Sequence, residues 1–258
     1  MQNGDLPQVG FPLMQVKTTG ERKSRVRGSG SADMNPSKQA TIPADGRQLQ
    51  GELIAPAGAV GVVAFAHGSG SSRHSPRNRY VAGELHKARL ATLLLDLLTE
   101  EEAEDRENVF DIELLARRLL CAARWLAAEP QTKSLCIGYF GASTGAAAAL
   151  LAAAQEPERV SAVVSRGGRP DIVMPWLPKV KAPTLLIVGE DDQPVLDWNR
   201  SAYQRLQTEK KLVVVPRATH LFEEPGTLEE VARHAAGWFS RYLAAPSVRP
   251  AAETGVRT

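Results

Sequence analysis

The chain has 258 residues, 43% of them hydrophobic and 23% charged, proportions that suit one large α/β domain with an ample core and exclude a disordered chain or a coiled coil. Its net charge is +2, and residues 34–245 hold 24 basic against 25 acidic side chains, so a nucleic-acid-binding face is not expected. No run approaches the ~18 apolar residues of a membrane span, Cys121 and Cys136 form no CxxC pair, and the first residues lack a signal-peptide pattern; a soluble cytoplasmic protein with two inert core thiols is expected.

Residues 1–35 are rich in Gly, Ser, Lys, Arg and Thr without apolar period, and they read as a flexible tail, as do residues 246–258. A folded domain over 36–245 remains. Within it, strands are predicted at Leu49 to Ile54, Val60 to Ala66, Ala91 to Leu95, Ser134 to Tyr139, Val160 to Ser165, Thr184 to Val188 and Leu212 to Val215. Most are unbroken apolar runs, the pattern of parallel strands covered on both faces. Glu100 to Glu107 reads as a solvated acidic loop. In the helix that follows, Ile112, Leu115, Leu119, Ala122 and Leu126 make one stripe, with Arg117, Arg118 and Arg124 off it. The last helix is predicted to open on a capping box, Thr227 with Glu230, and to present Val231, Ala235, Trp238 and Tyr242 on one face. Strand and helix alternating this often predict an α/β fold: a mostly parallel sheet of about seven or eight strands with helices on both faces.

Such a sheet places its chemistry at the carboxyl ends of the strands. After Val60 to Ala66 come His67-Gly68-Ser69-Gly70-Ser71-Ser72, a turn able to offer an oxyanion N–H from Ser69 or Gly70. A dinucleotide fingerprint fails there because Arg73 stands where its third glycine would be, and His67 reads as a turn-stabilising residue. After Ser134 to Tyr139 come Gly141-Ala142-Ser143-Thr144-Gly145 and the alanine-rich run Ala146 to Ala154, the strand–turn–helix pattern of a nucleophile elbow. The helix start aims free N–H groups at the reacting oxygen, Thr144 N–H first, and no Lys follows Gly145 to make a phosphate-binding loop.

Asp191 and Asp192 follow Thr184 to Val188, and either carboxylate could orient a histidine. His220 follows Leu212 to Val215. Only Arg166 to Pro183 separate two of the predicted strands, too few residues for a lid domain. In that stretch Met174, Trp176 and Leu177 are candidates to wall an acyl pocket. Arg73, His74, Arg77 and Arg79, with Arg166 and Arg169, stand at the same edge, where guanidinium groups recognise carboxylate or phosphate. Arg73, Arg166 and Trp176 are the leading substrate-binding candidates.

Taken together, His67 to Gly70, Gly141 to Gly145, Gly189 to Val195 and Thr219-His220-Leu221-Phe222 resemble the α/β-hydrolase superfamily, and within it the dienelactone-hydrolase-like group of small, capless members, over about Ala40 to Ala244. The chain order Ser, Asp, His is the one these hydrolases use. The resemblance implies Ser143 as nucleophile, His220 as base and, from the spacing Gly-x-x-Asp-x-x-Val over Gly189, Asp192 and Val195, Asp192 as the acid. Asp191 is its neighbour, and Asp171 occupies the place some hydrolases use instead. The enzyme that names the group uses cysteine where this chain has Ser143, so general serine-esterase chemistry on a small-molecule ester is implied, with no metal, cofactor, nucleic acid or membrane. The stretch from Thr219 to Gly226 is also similar to homologues fused to a phosphoribosyltransferase domain, which is not expected in these residues. Two rival readings use the same side chains: a binding or regulatory protein on a hydrolase scaffold, and acyl transfer or perhydrolysis by the same triad.

Overall fold

The computed structural model describes residues 37–244; the expected tails, 1–35 and 246–258, lie outside the described residues. In chain order the strands are β1 (Lys38–Ala44), β2 (Arg47–Ile54), β3 (Gly61–Ala66), β4 (Leu90–Leu95), β5 (Ile137–Ala142), β6 (Ala162–Arg166), β7 (Thr184–Gly189) and β8 (Lys210–Val215). The helices are α1 (Pro76–Lys87), α2 (Glu100–Glu104), α3 (Arg106–Phe110), α4 (Ile112–Ala128), α5 (Thr144–Gln155), α6 (Val195–Arg205) and α7 (Thr227–Leu243), with a 3-10 segment at Pro170–Lys179 between β6 and β7.

All eight strands form one sheet in the order β1-β2-β4-β3-β5-β6-β7-β8. From β4 to β8 neighbouring strands are parallel, while β2 runs antiparallel to both β1 and β4. Every residue of β3, β4, β5, β6 and β7 is buried, as strands sandwiched between helices require. One face packs on α4, α5, α6 and the 3-10 segment, the other on α1 and α7. This is the α/β-hydrolase architecture without a lid. Among the described residues no helix is long and apolar enough to cross a membrane. Cys121 and Cys136 are free and half-buried.

Four local expectations change. β1 was not predicted: its short chain Lys38-Gln39-Ala40-Thr41-Ile42-Pro43-Ala44 buries only every second residue, and Pro43 suits an edge strand that pairs on one side. The acidic stretch stays solvent-exposed but forms two short helices rather than a loop, because Thr99 and Glu102 form a capping box at its start, and Glu102 reaches Arg118. Arg118, off the apolar stripe of α4, is nonetheless buried and donates to the Ala44 carbonyl and to Glu102 at 2.6 Å. In α7 no capping box forms: Gly226 is the N-cap at φ +83° and Thr227 is already helical, so its hydroxyl donates back to the Glu224 carbonyl at 2.7 Å.

Candidate active site

The turn between β5 and α5 is built by contact. Ser143 is held at φ 52°, ψ −121°, a conformation costly for a residue with a Cβ and tolerated where surrounding structure enforces it. The glycines on either side supply that enforcement: a Cβ on Gly141 would lie 2.4 Å from Ala146 Cα, and one on Gly145 would lie 2.2 Å from the Ala66 carbonyl oxygen. Ser143 N–H is itself fixed to the Arg166 carbonyl at 3.1 Å. The hydroxyl therefore stands at the carboxyl edge of the sheet, at the start of an alanine-rich helix whose first N–H groups have no partner within the helix.

His220 arrives from the loop between β8 and α7. Its Nδ1 lies 2.8 Å from Asp192 Oδ2 and its Nε2 lies 3.3 Å from Ser143 Oγ. With Nδ1–H donating to the carboxylate, Nε2 carries the lone pair that faces the serine hydroxyl. Asp192 is 7% exposed, while Asp191 is exposed on the same turn. Asp171 is engaged elsewhere, accepting from Arg169 at 2.9 and 2.8 Å. The histidine loop is braced by Thr219, whose N–H and hydroxyl donate to Glu224 at 3.2 and 2.6 Å, and Gly189 lets it approach β7, since a Cβ there would fall 2.1 Å from the Ala218 carbonyl oxygen.

The glycine-rich turn after β3 lies against the elbow. A Cβ on Gly68 would be 3.0 Å from Ser143 Cβ, and Ser69 N–H donates to Thr144 Oγ1 at 2.9 Å. That N–H is thus engaged by a side chain rather than pointing into an empty hole, whereas Gly70 is exposed at φ +69°. His67 anchors the base of the turn: Nδ1 meets the Gly68 carbonyl at 3.0 Å and Nε2 accepts from Leu97 N–H at 3.3 Å. Burial pushes its pKa down, so the neutral ring these two bonds require is also the favoured one.

A cavity of about 340 Å³ opens beside this turn. Leu98, Ala103, Val109 and Leu115 supply its apolar lining, and His67 to His74 line it as well. Arg73 lines it too, but its guanidinium is ion-paired with Asp96, which also accepts from Arg73 N–H at 2.7 Å. Trp176 is not among the lining residues; it packs half-buried on the core with the Lys179 ammonium 4.4 Å from its ring centroid. Arg166 is 8% exposed, and burial, with the positive charge of Arg77 second, brings its pKa down to about 10.

A family model described as the dienelactone hydrolase family matches residues 98–243. The chain belongs to the dienelactone hydrolase family. It is 57% identical to a structure described as a dienelactone hydrolase from Anabaena variabilis, with a TM-score of 0.79, covering 81% of this chain and 98% of that one. Est1E from Butyrivibrio proteoclasticus, at 18% identity and TM-score 0.68 over 79% of this chain and 98% of its own, shares the fold. Two relatives from Mycobacterium tuberculosis, each named as a candidate phosphoribosyl transferase, are 60% identical over 198 residues, 77% of this chain. The chain spans 45% of the length of those relatives.

In this member of the dienelactone hydrolase family, the sequence offers little sign of the residues that line this cavity. Met174, Trp176 and Leu177 do not line the cavity beside the glycine-rich turn, whose apolar side comes from Leu98, Ala103, Val109 and Leu115. The one available signal was the apolar pair Val109-Phe110 closing a run of charges; half-buried Val109 packs on the core, while Phe110 remains 47% exposed.

Proposed function

We propose that the protein is a serine hydrolase that cleaves small carboxylic esters through an acyl-enzyme. The observation that carries this is the continuous relay from Asp192 through both nitrogens of His220 to Ser143 Oγ. In the first half-reaction Ser143 Oγ bonds to the ester carbon as its proton passes to His220 Nε2. The carbonyl oxygen becomes an oxyanion, which we assign to Thr144 N–H and a second N–H from the Ser69–Gly70 turn. Collapse breaks the bond to the alkoxy oxygen, which leaves as the alcohol with the proton from His220. In the second half-reaction water gives its proton to His220, attacks the acyl carbon, and releases the acid and the free serine. Asp192 holds the imidazole in the tautomer that can accept at Nε2 and stabilises the imidazolium that forms. The cavity beside the turn is the acyl pocket in this reading, and a small one, in keeping with a site that no lid domain covers. The transferase name borne by the Mycobacterium tuberculosis relatives belongs to proteins this chain spans only in part, and the reading here concerns the shared stretch.

A fluorophosphonate probe tests it directly. The wild-type protein is expected to be labelled stoichiometrically and Ser143→Ala not at all, with at least ~10³-fold lower ester hydrolysis in the variant. Labelling that persists in Ser143→Ala, or an unlabelled wild type, would remove the proposal. With added alcohol, a shift of product from acid to new ester would reveal acyl transfer by the same intermediate.

A further inference from the structure

Where β6 ends and before the 3-10 segment begins, the backbone from Arg166 to Arg169 holds the nucleophile from both sides. Ser143 N–H donates to the Arg166 carbonyl at 3.1 Å, and Arg169 N–H donates to the Ser143 carbonyl at 3.2 Å. Between these two bonds Gly167, at φ +52°, lies against the base: a Cβ there would fall 3.4 Å from Cε1, Nδ1 and the carbonyl oxygen of His220. Gly168 is packed as closely, since a Cβ on it would fall 2.1 Å from Ser165 Oγ and 2.8 Å from Ala146 Cβ in the first turn of α5. Nucleophile and base therefore take their separation from one short turn of backbone.

A single amide ties that turn to the acid. Asn199 of α6 is fully buried, and its Nδ2 donates to the Gly168 carbonyl at 2.9 Å and to the Val195 carbonyl, one helical turn back, at 2.9 Å. α6 opens just after Asp192, whose own carbonyl accepts from Leu196 N–H at 2.9 Å. Asn199 thus joins the helix that fixes Asp192 to the turn that fixes Ser143 and His220. Its Oδ1 is buried with no hydrogen bond. A buried amide left half unsatisfied is a poor choice for packing alone, where a leucine of the same shape would carry no such cost; what the asparagine supplies is the donor.

We infer that Asn199 is a positioning residue of this site: its amide sets the placement of the Asp192 side of the relay against the Ser143 and His220 side, without touching a reacting atom. The inference rests on the hydrolase reading above. Reaction rate is steep in such placement, a shift of about 1 Å costing on the order of 100-fold.

Asn199→Leu keeps the side chain's shape, removes the donor and takes away the unsatisfied oxygen. Its control is Thr132→Val, which removes another fully buried side-chain bond to a backbone carbonyl, Thr132 Oγ1 to Leu126 at 2.7 Å, in the turns that lead into the amino-terminal end of β5. Each protein is titrated with a fluorophosphonate to count reacting serines, and kcat and KM for 4-nitrophenyl acetate are taken per labelled serine, beside guanidinium chloride midpoints. Asn199→Leu is expected to lose about 10- to 100-fold in kcat with KM within about twofold, at a midpoint no lower than that of Thr132→Val, whose kcat stays within about twofold of wild type. The proton NMR signal of His220 Nδ1–H, bonded to Asp192, should broaden with faster solvent exchange in Asn199→Leu and persist in Thr132→Val. An unchanged kcat in Asn199→Leu, or one lowered as far in Thr132→Val, overturns the inference. Should Asn199→Leu not fold, Asn199→Ser, whose hydroxyl reaches only Val195 within its own helix, is read by the same criteria. A wild type that the probe does not label removes the hydrolase reading alone; the His220 signal then decides, and equal signals in all three proteins sink the positioning role.

Discussion

Two arginines are sunk into this molecule to nearly the same depth, Arg118 at 3% and Arg166 at 8% exposure, and their surroundings could hardly differ more. Arg118 lies under the antiparallel end of the sheet, where it donates to the Ala44 carbonyl and to Glu102 and sits 3.9 Å from Asp45. It ties β1 to α2 and α4, elements whose sequences are weakly structured alone. Arg166 lies at the carboxyl edge, beside the serine and the histidine loop, with no carboxylate to meet it. Partnered, a buried charge joins elements together; unpartnered, it costs stability and keeps donors available to something else. The same contrast separates the two regions as wholes: one end of the sheet is closed on itself, while the other holds strained backbone and open hydrogen-bond capacity.

The contrast is sharpest where a carboxylate is removed from each kind of setting. Asp192→Asn is expected to lower kcat by about 10⁴-fold, since the amide presents the wrong tautomer to His220. Asp171→Asn, which loses only its pairing with Arg169, should stay within a few-fold, about the effect of a part-exposed pair. Steady-state kinetics on both variants checks this, and a collapse in Asp171→Asn with Asp192→Asn active would reassign the acid. Next in size, Arg118→Met should destabilise the fold by about 3 kcal/mol, because the Ala44 carbonyl and the half-buried Glu102 lose a buried charged donor. Arg166→Met in buffer free of phosphate should leave stability unchanged or raise it. Guanidinium chloride unfolding of the two variants reads the opposite signs; equal losses would erase the distinction.

A smaller effect is expected at the elbow. Thr144→Val removes the hydroxyl that holds Ser69 N–H, leaving the oxyanion turn unanchored. It should lower kcat by about fivefold to tenfold, the worth of one hydrogen bond, with KM little changed and Thr144→Ser restoring most of the rate. A loss seen equally in Thr144→Ser would mean that packing of the methyl group, not the hydroxyl, is what counts.

How far the sequence reveals these regions follows from how local each feature is. The strands β3 to β7 are legible because burial on both faces leaves unbroken apolar runs. The elbow is legible because its Gly-x-Ser-x-Gly spacing lies within five residues between strand and helix, although only Gly141 answers to a local clash and Gly145 answers to the Ala66 carbonyl of β3. β1 is hidden because an edge strand covered on one side needs only Ala40, Ile42 and Ala44, which make a faint alternation. The cavity wall is hidden because Glu100 to Glu107 looks like a solvent-facing run until Arg118, a helix away, draws Glu102 inward. Nothing in the residues beside them distinguishes Arg118 from Arg166; both stand in largely apolar surroundings, and only the folded chain shows which one meets a carboxylate.

The least expected effect on stability is also the most diagnostic of how the glycine-rich turn is held. His67 is neutral in the fold, with Nδ1–H donating to the Gly68 carbonyl and Nε2 accepting from Leu97 N–H. A second proton would have to enter at Nε2, where it would face that N–H and break the link between the turn and the end of β4. Burial lowers its folded pKa, and that of His86, below the value of about 6.5 that the unfolded chain retains. Above pH 6.5 both states are neutral and these groups add no slope. As pH falls below 6.5 the unfolded state takes up protons first, so stability drops until the folded pKa values are passed and then levels off with respect to them. Denaturant midpoints between pH 8 and 5 should show this decline, and His67→Asn should lessen its steepness. An unaltered slope in His67→Asn would mean that the turn is held by its other contacts, the Ser69 to Thr144 bond foremost.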